Sequence, residues 1–345
     1  MQAAGIGALG MMPNISSAMP EAEQVEPDDP IAPDVMVFTH FEVGEKAGDT
    51  PGEFQKWYAE YDLTSKIDVP GAQTAVYYNA DNGVAATVTG IGKSLCTTSV
   101  TSILASPSLD LDETFFISAG ISGTPPEVGT TGCVFVSDYV VDWDLAHRWA
   151  QEDSETADYN RSSGQGNGQG QSESDNYALE LLPYRPFDYS YQIDPAHVER
   201  ALSIAEDVSL ADSEQATQYR QNYTEEAAQR DPFVDIGTTV TGDEYWHGET
   251  FSNQAQYICD QYDAGTYATT EQEDFGTASA LRRHGHFDRY LSLRSVSNFD
   301  QPYPGQTVRE SLFEADSGGY IPSITNVFRV GSAIVDDIRA RPSEW

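Results

Sequence analysis

The sequence predicts an α/β protein, a three-layer sandwich in which a central mixed β-sheet is flanked by helices. Three observations predict it. Short apolar runs such as DVMVF (34–38), and those at 114–118 and 133–141, read as buried strands. They alternate with helical stretches at 195–206 and 212–219, for which Asp194 and Asp212 are candidate caps. Two alternating runs flank an Asp-Asn-Gly turn in AVYYNADNGVAATVTG (75–90), a strong hairpin signal. Such alternation buries a sheet between helices, and 345 residues suffice for a sizeable core. The expected organisation is a signal-like or disordered tail over 1–33, then one domain over 34–345. That domain carries a polar low-complexity loop, RSSGQGNGQGQSESD, at 161–175.

Each further element follows in order. The strand at 34–38 leads into THFEVGE (39–45) and an insert, GDTPGEFQKW (48–57), in which a helix starts near Pro51. The hairpin ends in GIGK (90–93), followed by a small-residue helix to Leu104. The strand at 114–118 ends in SAGISG (118–123). Glycine-rich turns at strand ends let the backbone approach a ligand, which makes Gly90, Gly92, Ser118 and Gly120 candidate binding positions. The strand at 233–241 delivers Tyr245, Trp246 and His247 to its end. Near the C-terminus, an acidic turn at 271–274 runs into a helix at 276–283 and a strand at 290–296, which breaks at Ser297, Asn298 and Asp300. In α/β sheets ligands bind beyond the strand carboxyl ends, so Glu273, Asn298 and Asp300 are expected in one cleft.

Charge excludes whole classes of function. Fifty-five Asp and Glu face eighteen Lys and Arg, a net charge of −37. The self-repulsion weakens a compact state in dilute buffer and is screened in molar salt, where the Debye length is about 3 Å. A halophilic protein is therefore expected. With 39% hydrophobic and 11% aromatic residues the chain is too apolar for an acidic disordered protein. No basic stripe exists to meet nucleic acid. Cys96, Cys133 and Cys259 lack zinc spacing and read as buried thiols. His284 and His286 point to different faces of a helix end, so no metal is expected, and no cofactor motif occurs. No run of eighteen apolar residues could span a bilayer as a helix. AAGIGALGMM (3–12), with Ser17-Ala18 before Met19, resembles a signal-peptidase region without a basic start, which points to export to the cell surface or beyond.

The stretch at 269–306, with TGDEYWHG (241–248), SNFDQPYPGQ (297–306) and SGGYIPSITNVFRVG (317–331), resembles the purine nucleoside permease family. The resemblance runs from about Pro30 to the C-terminus. Members of that family are distant relatives of the nucleoside phosphorylases and nucleosidases. The resemblance implies a nucleoside phosphorylase-like fold, a purine nucleoside as ligand and room for a homo-oligomer. It also implies roles: Asn298 or Asp300 at the purine, Glu273 on the ribose hydroxyls, with Asp274 or Glu271 as its substitute, and Tyr245 and Trp246 stacked on the base. Trp246 is equally readable as core, and His247 either reaches the sugar 5′-hydroxyl or caps its own turn.

The attacking group decides the reaction. Phosphorolysis needs arginines to hold phosphate, and all fourteen arginines of this chain fall at Arg148 or later. Lys93 in GIGK has no basic companion. The resemblance then favours hydrolysis, with a glutamate shortly after the first strand activating water. Glu45 is the expected base and Glu42 its substitute, against the reading of Glu45 as a solvated surface carboxylate. A guanidinium folded in from the later half would reopen phosphorolysis.

Overall fold

A computed structural model describes residues 22–25, 29–46, 48–150, 177–181 and 189–345. The first twenty-one residues and the polar loop at 161–175 lie outside them. The main sheet begins at β1 (Glu23–Gln24) and continues through β3 (Ser65–Ile67), β4 (Val76–Asn79) and β5 (Val84–Val88) to β2 (Val35–Thr39). From β2 it passes through β6 (Phe115–Thr124), β12 (Tyr267–Glu271), β11 (Val234–Thr241) and β7 (Val134–Asp142) to β10 (Ser190–Gln192). β13 (Tyr290–Phe299) pairs in parallel with β6 and antiparallel with β7. The strands β6, β12, β11, β7 and β13 thereby close into a ring. A separate hairpin joins β8 (Ala146–Ala150) to β9 (Tyr177–Leu181).

Residues of β2 are buried throughout, as a central strand covered on both faces requires. Helices supply that cover. Consecutive strand residues point to opposite faces, and in β6 they meet different helices. Phe115 packs on His197 of α3 (Pro195–Ala205) and on Trp345. Phe116 packs on Phe38 and on His286, just beyond α7 (Asp274–His284). On the first face the long α8 (Tyr320–Ala340) lies along β13 and β6, while on the second α7 packs against α2 (Lys93–Leu104). The mixed sheet flanked by helices is therefore the architecture the sequence predicted.

Most local expectations agree with the structure. The hairpin pairs Asn79 with Val84, and α2 begins directly after GIGK. Asp194 caps α3 by accepting from the Ala196 N–H at 2.8 Å. Two differ. Ser213, not Asp212, caps α4 (Glu214–Arg220), since the Asp212 carboxylate is drawn onto the guanidinium of buried Arg220. The last strand runs on to Phe299 instead of breaking at Ser297, because a register shift between Val296 and Asn298 lets its edge keep pairing with Gly123 and Thr124. Cys96, Cys133 and Cys259 are buried free thiols.

The insert after the first strand belongs to the core. Trp57 on α1 (Gln55–Glu60) is fully buried, edge-on to Phe328 of α8, and a Cβ at Gly331 would stand 2.9 Å from its ring. The Glu53 N–H donates to the Phe41 carbonyl at 3.1 Å and closes the loop between them. Glu53 is thus returned to the end of β2.

Candidate active site

Where the chain leaves β2, β5, β11, β12 and β13, polar groups converge around one buried arginine. Arg294 lies on β13 directly across from Gly120 on β6, with no exposed surface. Its Nε donates to Asp274 Oδ2 at 2.8 Å, and its Nη2 to Asp274 Oδ1 at 2.6 Å and His40 Nε2 at 3.0 Å. Its Nη1 donates to the Ile121 carbonyl and to Glu273 Oε2, both at 3.2 Å, and Glu271 Oε2 lies 3.1 Å from Nη2. Every N–H of the guanidinium is therefore engaged.

The carboxylates around it differ in charge state. Asp274, gripped by Arg294 and by the Ser118 and Ser292 hydroxyls, sits below the usual carboxyl range even though it is fully buried. Burial pushes Glu273 and Glu271 up to about 7, Arg294 opposing the rise in both and Asp274 reinforcing it in Glu271. Burial likewise raises Glu53 to about 7, against the pull of Arg294 and of backbone N–H donors. His40 is held neutral by burial and by Arg294. Because His40 Nε2 accepts from Arg294, its proton sits on Nδ1, which donates to Thr89 Oγ1 at 2.9 Å.

Glu53 accepts from the His40 N–H at 2.7 Å and the Ile121 N–H at 2.8 Å. It stands against Gly120, where a Cβ would lie 2.9 Å from Glu53 Oε1, 2.6 Å from Arg294 Nη1 and 3.0 Å from His40 Cδ2. A bare backbone is what lets these three groups meet. Gly120→Ala is accordingly expected to destabilise the protein by about 1–3 kcal/mol, read as a lower Tm; an unchanged Tm would show that this position is not packed as described.

The predicted site residues separate into those that face this pocket and those that do not. Glu273 is in it, its Oε1 accepting from the Gly92 N–H at 3.2 Å. Gly92 and Gly90 both have positive φ, as the turn into α2 demands. Asn298 is half-buried, opposite Gly123 on β6. Tyr245 is 63% exposed, its hydroxyl 3.5 Å from Asn298 Oδ1. Ser118 lies beneath the pocket, bonded to Asp274 and His40.

Five assignments need correction. Glu45 is exposed and only its backbone is bonded, the N–H donating to Asp49 and the carbonyl accepting from the Gln55 side-chain amide, so it is a surface carboxylate. Glu42 is spent on its own loop, accepting from the Val43, Gly52 and Gln55 N–H groups. Asp274 has both oxygens tied to Arg294 and cannot hold a ribose. Trp246 is core, stacked on Trp143 at 4.3 Å, and His247 neither caps its turn nor opens to solvent but joins Ser311 Oγ at 2.9 Å. Burial lowers His247 to about 4. Asp300 is also buried, two residues past Asn298, with Tyr267 donating to its Oδ2 at 2.9 Å.

Glu53, His40 and Arg294 are the members the sequence reading missed. A charged residue amid LSLRSVS, a buried strand, was the available signal for Arg294. Lys93 is no free cation, since Asp142 and Asp144 pair with it. Among the described residues no group of three or more His, Cys, Asp or Glu side chains is arranged to hold a metal ion, and no helix is long and apolar enough to cross a membrane.

The arrangement of sheet and helices is the fold of solved nucleosidases. A 5′-methylthioadenosine/S-adenosylhomocysteine nucleosidase of Neisseria meningitidis, solved with methylthio-immucillin-A, superposes with TM-score 0.52 at 15% identity, over 89% of this chain and 99% of that one. Futalosine hydrolase of Helicobacter pylori superposes with TM-score 0.54 at 12% identity, over 88% and 98%. Within that fold the chain belongs to the purine nucleoside permease family, whose model matches residues 32–345. A probable purine nucleoside permease of Schizosaccharomyces pombe is 30% identical over 331 residues, 91% of each chain. A purine nucleoside permease of Candida albicans is 27% identical over 299 residues, covering 83% of this chain and 72% of its own.

Proposed function

We propose that the protein binds purine nucleosides and hydrolyses their N-glycosidic bond, with Glu53 as the base that activates water. The observation that carries this reading is the environment of Glu53: a buried carboxyl near 7, fixed by two backbone N–H groups against the gap at Gly120 and close to Glu273. A base with its pKa near the working pH is the most effective. Glu273 is the group for the ribose hydroxyls, and Tyr245 the aromatic for the purine face.

Asn298 is the side chain for the base, which we expect to be a 6-oxopurine such as that of inosine or guanosine. Its Oδ1 already accepts from Ser297 and lies within reach of Tyr245, and its Nδ2 gives one hydrogen to the Phe299 carbonyl. One N–H is left to donate to a ring acceptor.

A guanidinium does fold in from the later half, yet its surroundings argue against phosphorolysis. Arg294 has no spare donor, and phosphate would have to enter among Glu53, Glu271, Glu273 and Asp274. Like charges at such range are strongly unfavourable in a buried site. In molar salt the purified protein should release free base and ribose from inosine without added phosphate. Ribose 1-phosphate formed only when phosphate is present would refute hydrolysis.

A second reading follows from the names of the relatives, which are called permeases. On it the protein is a nucleoside-binding partner of a transport system in an exported, halophilic setting. Tight nucleoside binding by an inert wild type, read by calorimetry, would favour that reading.

A further inference from the structure

Glu53 and Arg294 are both buried and border the same gap, 2.9 and 2.6 Å from the point that a Cβ at Gly120 would occupy. A carboxylate and a guanidinium so close, and shielded from water, attract each other strongly. They nevertheless do not pair. Among the described residues the carboxylates within ion-pair distance of Arg294 are Glu271, Glu273 and Asp274. Two neutral bridges take the place of the direct contact. Ile121 gives its N–H to Glu53 at 2.8 Å and accepts from Arg294 Nη1 on its carbonyl at 3.2 Å. His40 gives its N–H to Glu53 at 2.7 Å and accepts from Arg294 Nη2 on its ring Nε2 at 3.0 Å. Each bridge satisfies both charged groups with dipoles and keeps them apart.

The bridges differ in what holds them. That of Ile121 is backbone, fixed by the pairing of β6 with β13, whereas that of His40 depends on a side chain. Its ring is fixed from behind, because Nδ1 donates to Thr89 Oγ1 at 2.9 Å, the Thr89 hydroxyl donates to the Thr39 carbonyl at 3.1 Å, and the Thr89 carbonyl accepts from Ser99 Oγ at 2.7 Å. The groups that face the ring are Arg294 on β13, Asp274 on α7 and the Ser118 hydroxyl on β6. Burial and Arg294 keep the imidazole neutral. An acceptor in this place has to be neutral. Four carboxyl groups already surround the guanidinium, and a fifth negative charge would be strongly unfavourable. With no acceptor at all, a buried N–H of Arg294 would lack a partner, at a cost relieved by turning towards Glu53.

We propose that His40 is a positioning residue, whose ring occupies Arg294 Nη2 and keeps the guanidinium from pairing with Glu53, so that Glu53 remains a free base. The inference rests on the reading of Glu53 as the group that activates water. A carboxylate locked to a guanidinium is a weaker base, since an adjacent opposite charge favours its ionised form. The other ionisable groups acting on Glu53 are Glu273, ahead of α7, and Tyr320, at the start of α8, and neither is a cation. Among the described residues Arg294 is the cation that acts on it, so the placement of that one side chain sets the strength of the base.

The test is His40→Leu, which removes the ring acceptor and leaves an apolar side chain in its space. The acid limb of kcat/KM for inosine is expected about 1–3 pH units lower than in the wild type, with kcat on the plateau reduced roughly tenfold. His40→Gln, whose amide oxygen reaches the position of Nε2, should bring both back towards the wild type. The milder Thr89→Val, which takes away only the partner of Nδ1, should move the limb in the same direction by less. A second measurement needs no turnover. The carboxyl stretch of Glu53, read by infrared as the difference between each protein and the same protein carrying Glu53→Gln, should titrate at lower pH in His40→Leu than in the wild type. A merely structural role would lower the Tm of the variants and leave the limb and the infrared titration where they were. That result, or His40→Gln behaving like His40→Leu, would overturn the proposal. A wild type that cleaves no nucleoside would remove the hydrolytic reading, and the infrared titration would then decide the placement of Arg294 by itself: lowered in His40→Leu it supports the proposal, unmoved it overturns it.

Discussion

Glu53→Gln is expected to lower kcat for inosine by roughly 10²–10⁴-fold, with nucleoside affinity changed by less than about tenfold. The amide fills the same space between His40 and Ile121 but cannot take a proton from water. It also turns an N–H towards one of two backbone donors that the carboxylate satisfied, so a small fall in Tm accompanies the loss. Glu45→Gln is the matched control and should leave both kcat and Tm unchanged, because that side chain is exposed. The pH profile supplies the second readout. A base must be ionised, and the Glu53 carboxyl stands at about 7, so wild-type kcat/KM should fall as pH drops through 7, approaching tenfold per unit. An acid limb near 4.5, or a fully active Glu53→Gln, would remove Glu53 from the mechanism.

The largest effect on stability is expected from Arg294→Met. Removing one partner from a buried charge cluster typically costs about 3–5 kcal/mol, and here Asp274, Glu271 and Glu273 lose their common counter-charge together. In a domain of this size that corresponds to a Tm lower by on the order of 10 °C. The sign of its pH dependence follows from Asp274. In the wild type its depressed carboxyl contributes stability that is present above the usual carboxyl range and lost in acid. Without the guanidinium that contribution disappears, and the freed carboxyls resist ionisation. Arg294→Met should therefore be more damaging at pH 8 than at pH 5. Equal loss at the two pH values would mean that Arg294 acts by packing alone.

Much of the site was legible because its residues sit in local patterns. Glu273 follows an acidic turn ahead of a helix, Gly90 and Gly92 stand where a tight strand-to-helix turn demands them, and Asn298 ends a strand. Glu53 was not legible in that way. It lies fourteen residues beyond Thr39, past two nearer glutamates that satisfy the same local description. Its place depends on the Phe41 to Glu53 hydrogen bond and on Trp57 docking against α8, contacts made with parts of the chain far away in sequence. Trp246 failed for a related reason: an aromatic at a strand end looks alike whether it faces a purine or another tryptophan, and only the position of Trp143 separates the two.

By itself the sequence determined the alternation of strands and helices, the hairpin, the acidic surface and the segment that bears the pocket, since periodicity and turn residues act over a few positions. The tertiary structure alone decided which carboxylate is buried, that Arg294 is already fully paired, and that Trp246 packs on Trp143. Burial and charge pairing arise from side chains brought together across hundreds of residues, and a pKa belongs to that assembled environment, not to the residue that carries the proton.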